Sequence, residues 1–235
     1  MLKVYYLKRF GILYKIVVSN GRVSLFQPLV LMPLVDIGIS RRKSPLSNNA
    51  QLNQPNHIEF VAAIDIGTNS THLLIAAVDT SLKTFSIVLA DKSTTRLGDR
   101  NSLTGELTED AMARGLETLK RFKDLADSYQ VKNVVTAATS AVREASNGRD
   151  FIDRIKNQID LNVEVISGPE EARLIYLGVL SGMQFGDRPH LLIDIGGGST
   201  ELVLADGHDS KALTSTKVGA VRLKSEFIQQ QPLSS

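Results

Sequence analysis

The chain has 235 residues, 43% hydrophobic and 22% charged, with a formal net charge of +2, an ordinary soluble composition long enough for one large domain or two small ones. It contains no cysteine, which excludes disulfides, thiolate metal sites and a cysteine nucleophile, leaves any metal to oxygen or imidazole ligands, and fits a reducing cytoplasm. Residues 1–60 hold eight Lys/Arg against two acids, +6, so the remainder carries −4, a balance that argues against duplex nucleic acid as a partner because that affinity needs clustered cations.

Residues 1–59 read as a basic leader and linker, disordered or non-native, with the polar run Ser40 to Asn56 as the linker and Met32 as a later start. Lys15 and Arg22 interrupt its first apolar stretch, and Gln27, Pro28 and Pro33 its second. Neither stretch is therefore a signal-peptide core or reaches the roughly 18 residues of a membrane span.

From Phe60 the pattern becomes regular. Residues 61–66 and 72–78 are short apolar runs around Gly67-Thr68-Asn69-Ser70-Thr71, which predicts a hairpin, and 84–90 predicts a third strand. A helix is expected over 109–129, capped by Thr108, with Met112, Leu116, Leu119, Phe122, Ala126 and Tyr129 on one apolar stripe. A strand at 131–136, a helix at 149–159 with Phe151, Ile152, Ile155 and Ile159 inward, and a strand at 163–166 come next. Pro169 then opens a helix to about Ser181. Strands alternating with helices predict an α/β sheet.

The chain also repeats itself at an offset of 129 residues. Ala62 to Ala76 reads A-A-I-D-I-G-T-N-S-T-H-L-L-I-A, and Leu191 to Ala205 reads L-L-I-D-I-G-G-G-S-T-E-L-V-L-A. Each copy is an apolar strand ending in an aspartate, a turn of small residues and a second apolar strand. Glycine lets a turn approach a ligand closely and point successive N–H groups at phosphate oxygens, with Ser and Thr hydroxyls adding donors. An aspartate beside a phosphate repels it unless a hard cation such as magnesium lies between them. Two such hairpins facing across a cleft would make a two-sided phosphate clamp. There is no G-x-x-x-x-G-K-[ST], and the chain after Gly198 continues as a strand, which excludes a P-loop and a dinucleotide fingerprint.

Five stretches, in order, resemble the exopolyphosphatase and guanosine pentaphosphate phosphatase (Ppx/GppA) family of the actin, Hsp70 and sugar-kinase group. They are Ala63 to Leu73, Arg96-Leu97-Gly98, Ala137 to Asn147, Ser167 to Gly178 and Leu192 to Leu202, and the likeness runs from about Phe60 to Phe227. The resemblance implies an α/β actin-like (ribonuclease H-like) domain at 60–182 and the start of a second, incomplete one at 183–235. It also implies magnesium-dependent removal of the terminal phosphate of polyphosphate, or the 5′ phosphate of guanosine pentaphosphate, by attack of water. By the same analogy Gly67, Thr68, Asn69, Ser70, Gly196, Gly197, Gly198, Ser199 and Thr200 would hold phosphate oxygens and Arg96 would reach the polyanion. Asp65, Asp194 and Glu171 would hold the metal, and Glu171 and Glu201 would act on water. A homodimer is left open.

The residues support some of these roles on their own. Glu171 shares a helix face with Leu174, Ile175 and Gly178, so it is expected to turn inward, where an acid needs a partner. Ser167-Gly168-Pro169-Glu170 matches a capping box and needs no chemistry. Glu201 reads equally as a water-orienting group or an exposed strand residue. Arg143 could fork onto phosphate, Arg173 reads as solvating its own helix, and His72 as a structural histidine. Some family members carry a glutamate where this chain has Ser140, which shifts the burden of activating water to Glu171. Because Ser235 comes soon after the second hairpin, the polypeptide alone is expected to expose a sheet edge and to turn over weakly. Two alternatives stand beside hydrolysis: a kinase or ATPase of the same superfold, and a non-catalytic binder of polyphosphate or a guanosine alarmone.

Overall fold

The computed structural model describes residues 58–82, 84–101, 103–180 and 188–228, together with the backbone of three earlier strands. Those strands, β1 (Leu2–Arg9), β2 (Ile12–Ser19) and β3 (Arg22–Phe26), pair as an antiparallel meander. The linker run Ser40 to Asn56 and Met32 lie outside the described residues. No helix among the described residues is long and apolar enough to cross a membrane.

The first repeat folds as the predicted hairpin, β4 (Ile58–Ile66) against β5 (Thr71–Asp79), and β6 (Thr84–Ser93) extends it antiparallel. β7 (Asn133–Ala138) and β8 (Val163–Val165) then join parallel on the other side of β4, giving the order β6-β5-β4-β7-β8. β4 is central, and its residues from Val61 to Ile66 are buried without a break.

One face is covered by two helices, α1 (Glu109–Ser128) and α3 (Gly148–Ile159). α1 begins as its sequence predicts, with the Thr108 hydroxyl accepting the N–H of Ala111. Its Met112, Leu119, Phe122 and Ala126 are buried with Phe151 and Ile155 of α3, over Ile64, Ile66, Leu73 and Ile75 of the hairpin. Gly115 lets the two helices meet closely: a methyl group there would lie 2.8 Å from the Phe151 ring. The sequence reading did not place the single turn α2 (Ser140–Arg143), which comes directly after β7.

α4 (Gly168–Leu180) is the joint of the molecule. Leu174 packs on Ala137 and Ile166 of the first unit. Ala172, Ile175, Tyr176 and Val179 pack on Leu192, Val203 and Ala205 of a second sheet. That sheet is the second repeat, β9 (His190–Ile195) and β10 (Thr200–Ala205), extended by β11 (Ser210–Thr216) in the order β11-β10-β9 and succeeded by α5 (Ala220–Phe227). The first three strands of both units therefore share one layout.

The repeats differ in what covers them. Ile64 and Ile66 are 2% and 0% exposed, whereas their counterparts Ile193 and Ile195 are 48% and 69% exposed. The difference sets up a within-molecule comparison. Ile64→Ala should cost about 2–5 kcal/mol in urea denaturation, the range for emptying a core site, while Ile193→Ala should cost less than about 1 kcal/mol. Equal losses would show that Ile193 is packed in solution.

Candidate functional site

Both hairpin turns and the start of α4 open onto one cleft of about 1380 Å³. Its walls include Asp65, Gly67, Thr68, Asn69, Ser70, Arg96, Glu171, Asp194, Gly196, Gly197, Gly198, Ser199 and Glu201, so the two aspartates share a cavity. Thr200 is not on this wall, and its hydroxyl donates to the Val218 carbonyl. The turns meet at Thr68. The Thr68 side chain lies against the backbone of Gly98 and Gly197, and its Oγ1 shares a 2.9 Å hydrogen bond with Ser140 Oγ.

How the turns are held decides which of their groups face a ligand. Both close alike, with Gly67 N–H donating to Ser70 O at 3.1 Å and Gly196 N–H to Ser199 O at 2.9 Å. In the first turn, the Thr68 and Asn69 carbonyls accept the N–H groups of Gly98 and Arg96. In the second, the Gly196 carbonyl accepts from Ala220, the Gly197 carbonyl from Val221 and Arg222, and the Gly198 carbonyl from Arg222 Nε. A trans peptide points its N–H opposite its own C=O. The N–H groups of Asn69, Ser70, Gly197, Gly198 and Ser199 are therefore turned away from these partners, and among the described residues none of the five meets an acceptor. Successive amides displayed in this way form an anion-binding concavity.

The segment holding the first turn is strained. Arg96 has φ 49°, in the left-handed region, which costs an arginine roughly 1 kcal/mol or more. That conformation lets its N–H reach Asn69 while its side chain lines the cleft.

Three carboxylates converge on the second wall. Glu171 is pushed up to about 7, first by burial and then by Glu201, with Arg143 opposing and Asp194 adding a smaller push. Asp194 is pushed up to about 6 by burial and by Glu201. Glu201 is 2% exposed and accepts a 2.8 Å hydrogen bond from Ser215 Oγ, so it is a buried acid facing inward from β10 and not an exposed strand residue. Asp65, also buried, lies opposite His72 in the β4–β5 register. Burial and the nearby Lys92 lower His72 to about 4 and keep it neutral.

The arginines divide by partner. Arg143 Nη1 donates to Glu171 Oε2 at 3.1 Å and to Ile166 O at 2.8 Å, so its partner in this structure is an acid. Arg173 forks onto Glu170 at the helix surface. That engagement removes half of the expected capping box: Ser167 Oγ accepts the Glu170 N–H, but the Glu170 carboxylate reaches Arg173. The sequence reading missed Lys92, Arg100, Arg222 and Lys224, which also line the cleft. Only their placement by distant segments reveals them, although Arg100 falls just beyond the Arg96-Leu97-Gly98 stretch.

The donor set suits a hard cation: it is all oxygen, and two of its acids are held toward the protonated form by burial and mutual repulsion, which a cation would relieve. Among the described residues no three His, Asp or Glu side chains are gathered closely enough to hold an ion by themselves. Asp194 and Glu171 share one electrostatic cluster with Glu201.

Comparison with known proteins agrees with this architecture. Residues 74–235 match the Ppx/GppA phosphatase family. A guanosine-5′-triphosphate,3′-diphosphate pyrophosphatase of Photobacterium profundum is 35% identical over 175 residues, covering 74% of this chain and 34% of that protein. Among solved structures, an exopolyphosphatase from Cytophaga hutchinsonii is 37% identical with a TM-score of 0.71, over 75% of this chain and 56% of that one. The Aquifex aeolicus member of the Ppx/GppA family is 36% identical with a TM-score of 0.63, over 74% of this chain and 56% of that one. The chain thus spans about a third of the length of the curated relatives it matches. Its mixed α/β fold is that of the Cytophaga hutchinsonii exopolyphosphatase, and the chain belongs to the Ppx/GppA phosphatase family.

Proposed function

We propose that this chain carries the phosphate-binding and water-activating site of a phosphoanhydride hydrolase acting on the terminal phosphate of polyphosphate or the 5′ phosphate of guanosine pentaphosphate. The reading is carried by one observation: two glycine turns with outward amides and a cluster of protonation-prone acids open onto the same cleft. The relatives named above, an exopolyphosphatase and a guanosine-5′-triphosphate,3′-diphosphate pyrophosphatase, act on the same kind of bond.

In this reading the amides of Gly197, Gly198 and Ser199 on one side, and of Asn69 and Ser70 on the other, bind the non-bridging oxygens of the terminal phosphate. Arg96 reaches the next phosphate. Glu171 takes the proton of the attacking water, and its position near pH 7 suits it to exchange that proton. Glu201, fixed by Ser215, orients the same water. Asp194, with Asp65 from the other wall, would hold magnesium together with phosphate oxygens, and the ion would supply neutralisation of the developing charge.

Release of orthophosphate from polyphosphate in magnesium buffer tests the reading, measured against Glu171→Gln as the blank. Release by the wild type that drops about 100-fold or more in Glu171→Gln supports it. Equal rates in the two proteins would refute it.

The acid cluster gives a pH signature. If the ionised Glu171 is the base, the rate should rise with pH as that carboxyl ionises, with a midpoint no higher than about 7 because a nearby cation favours the ionised form. Arg143→Leu removes the group that favours the ionised form and should move that midpoint upward, as a pH–rate profile would show. Stability runs the other way. A carboxyl raised in the folded state stabilises below its ordinary 4.5 and loses that contribution as pH rises through about 7. Glu171→Gln should therefore flatten the fall in denaturation free energy across this window, gaining on the order of 2 kcal/mol at pH 8.

The turn geometry can be tested separately. A methyl group on Gly219 would lie 2.5 Å from the backbone of Gly197 and Gly198, closer than such atoms approach. Gly219→Ala should therefore push the second turn out of place and weaken binding of tripolyphosphate at least about tenfold by calorimetry.

A further inference from the structure

The second turn owes its orientation to groups outside the repeat. The backbone N–H groups at the start of α5 satisfy the Gly196 and Gly197 carbonyls, but none of them reaches the Gly198 carbonyl. That carbonyl accepts the side-chain Nε of Arg222 at 2.9 Å. The same guanidinium uses Nη2 to donate to Glu144 Oε2 at 2.6 Å. The ion pair is largely sheltered, with the Arg222 side chain 22% exposed and that of Glu144 12% exposed. Glu144 caps the C-terminal end of α2, in the first unit. One planar fork therefore joins a phosphate-facing peptide of the second unit to an acid of the first.

We propose that Arg222 is a positioning residue for the phosphate site, anchored by Glu144, and that it fixes the Gly198–Ser199 peptide so that the Ser199 N–H faces the bound phosphate. The inference rests on the phosphate-binding reading of the two turns. Without the Nε donor, the Gly198 carbonyl has no partner, and the peptide, flanked by glycine on one side, is free to rotate its N–H away. Without Glu144, the guanidinium loses the contact that holds its plane at the angle the carbonyl needs. Because the two partners belong to different units, the same side chain also sets how closely the second turn stands to Thr68 and Ser140 of the first. Lysine substitutes only in part, since a single ammonium on a flexible stem lacks the two-pronged fork.

The test uses the whole chain, labelled with ¹⁵N and titrated with inorganic tripolyphosphate. In the wild type the amide resonances of Gly197, Gly198 and Ser199 should shift together. In Arg222→Ala the Ser199 amide should lose its shift while Gly197 keeps its own, and the Kd should rise about tenfold, the size of one lost charge-assisted hydrogen bond. Arg222→Lys should fall between the two, and Glu144→Gln, which leaves the Gly198 contact in place, should raise the Kd about threefold. Thermal midpoints measured alongside show whether each variant is folded, and the two conservative variants carry the test if Arg222→Ala is not. Wild-type binding with an unchanged Kd and an intact Ser199 shift in all variants would overturn the positioning role alone. A wild type whose turn amides do not respond to tripolyphosphate would overturn the phosphate reading and this inference with it.

Discussion

A peptide group that gives its carbonyl to one side must give its N–H to the other, and the whole candidate site depends on that constraint. In both turns the carbonyls are held from behind, by the Arg96 to Gly98 segment in the first and by the start of α5 in the second. The turns themselves are short, small and uncharged, and could adopt several orientations in isolation. Their direction is imposed by the segment beyond the third strand of each unit. Gly98 and Gly219 allow this because neither position tolerates a side chain against the turn it supports.

The second requirement is a shared space, and α4 provides it. One face of the helix packs on the first unit through Leu174 and the other on the second sheet through Ala172, Ile175, Tyr176 and Val179. Its first turn, with Glu171, is thereby wedged between the two walls. Burial there raises Glu171, and the nearby Glu201 and Asp194 add repulsion that Arg143 only partly offsets. A cluster of acids kept near neutrality is costly to a protein with no use for it. Here it stands beside amides suited to an anion, and a cation between them would satisfy both.

Much of this was legible in the sequence, and the remainder was hidden for physical reasons. The register of Asp65 with Asp194, the Thr108 cap and the Met112 to Ala126 stripe are local patterns, and they fold as read. Glu201 could not be placed from its own neighbourhood, because its burial depends on β11 supplying Ser215. The exposed Ile193 and Ile195 carry the same apolar signal as the buried Ile64 and Ile66. Periodicity reports the face a residue occupies but not whether anything covers it. Arg222 and Glu144 lie 78 residues apart, and neither looks distinctive until the fold brings them together at the Gly198 carbonyl.

The central claim is that the two sets of outward amides serve one anion. The most direct measurement is anomalous diffraction from a crystal of the chain soaked in tungstate, a heavy phosphate analogue. The account predicts a single principal peak within hydrogen-bonding reach of the Gly197, Gly198 and Ser199 amides on one side and the Asn69 and Ser70 amides on the other. Tungstate seated elsewhere in the cleft, or touching only one turn, would contradict it.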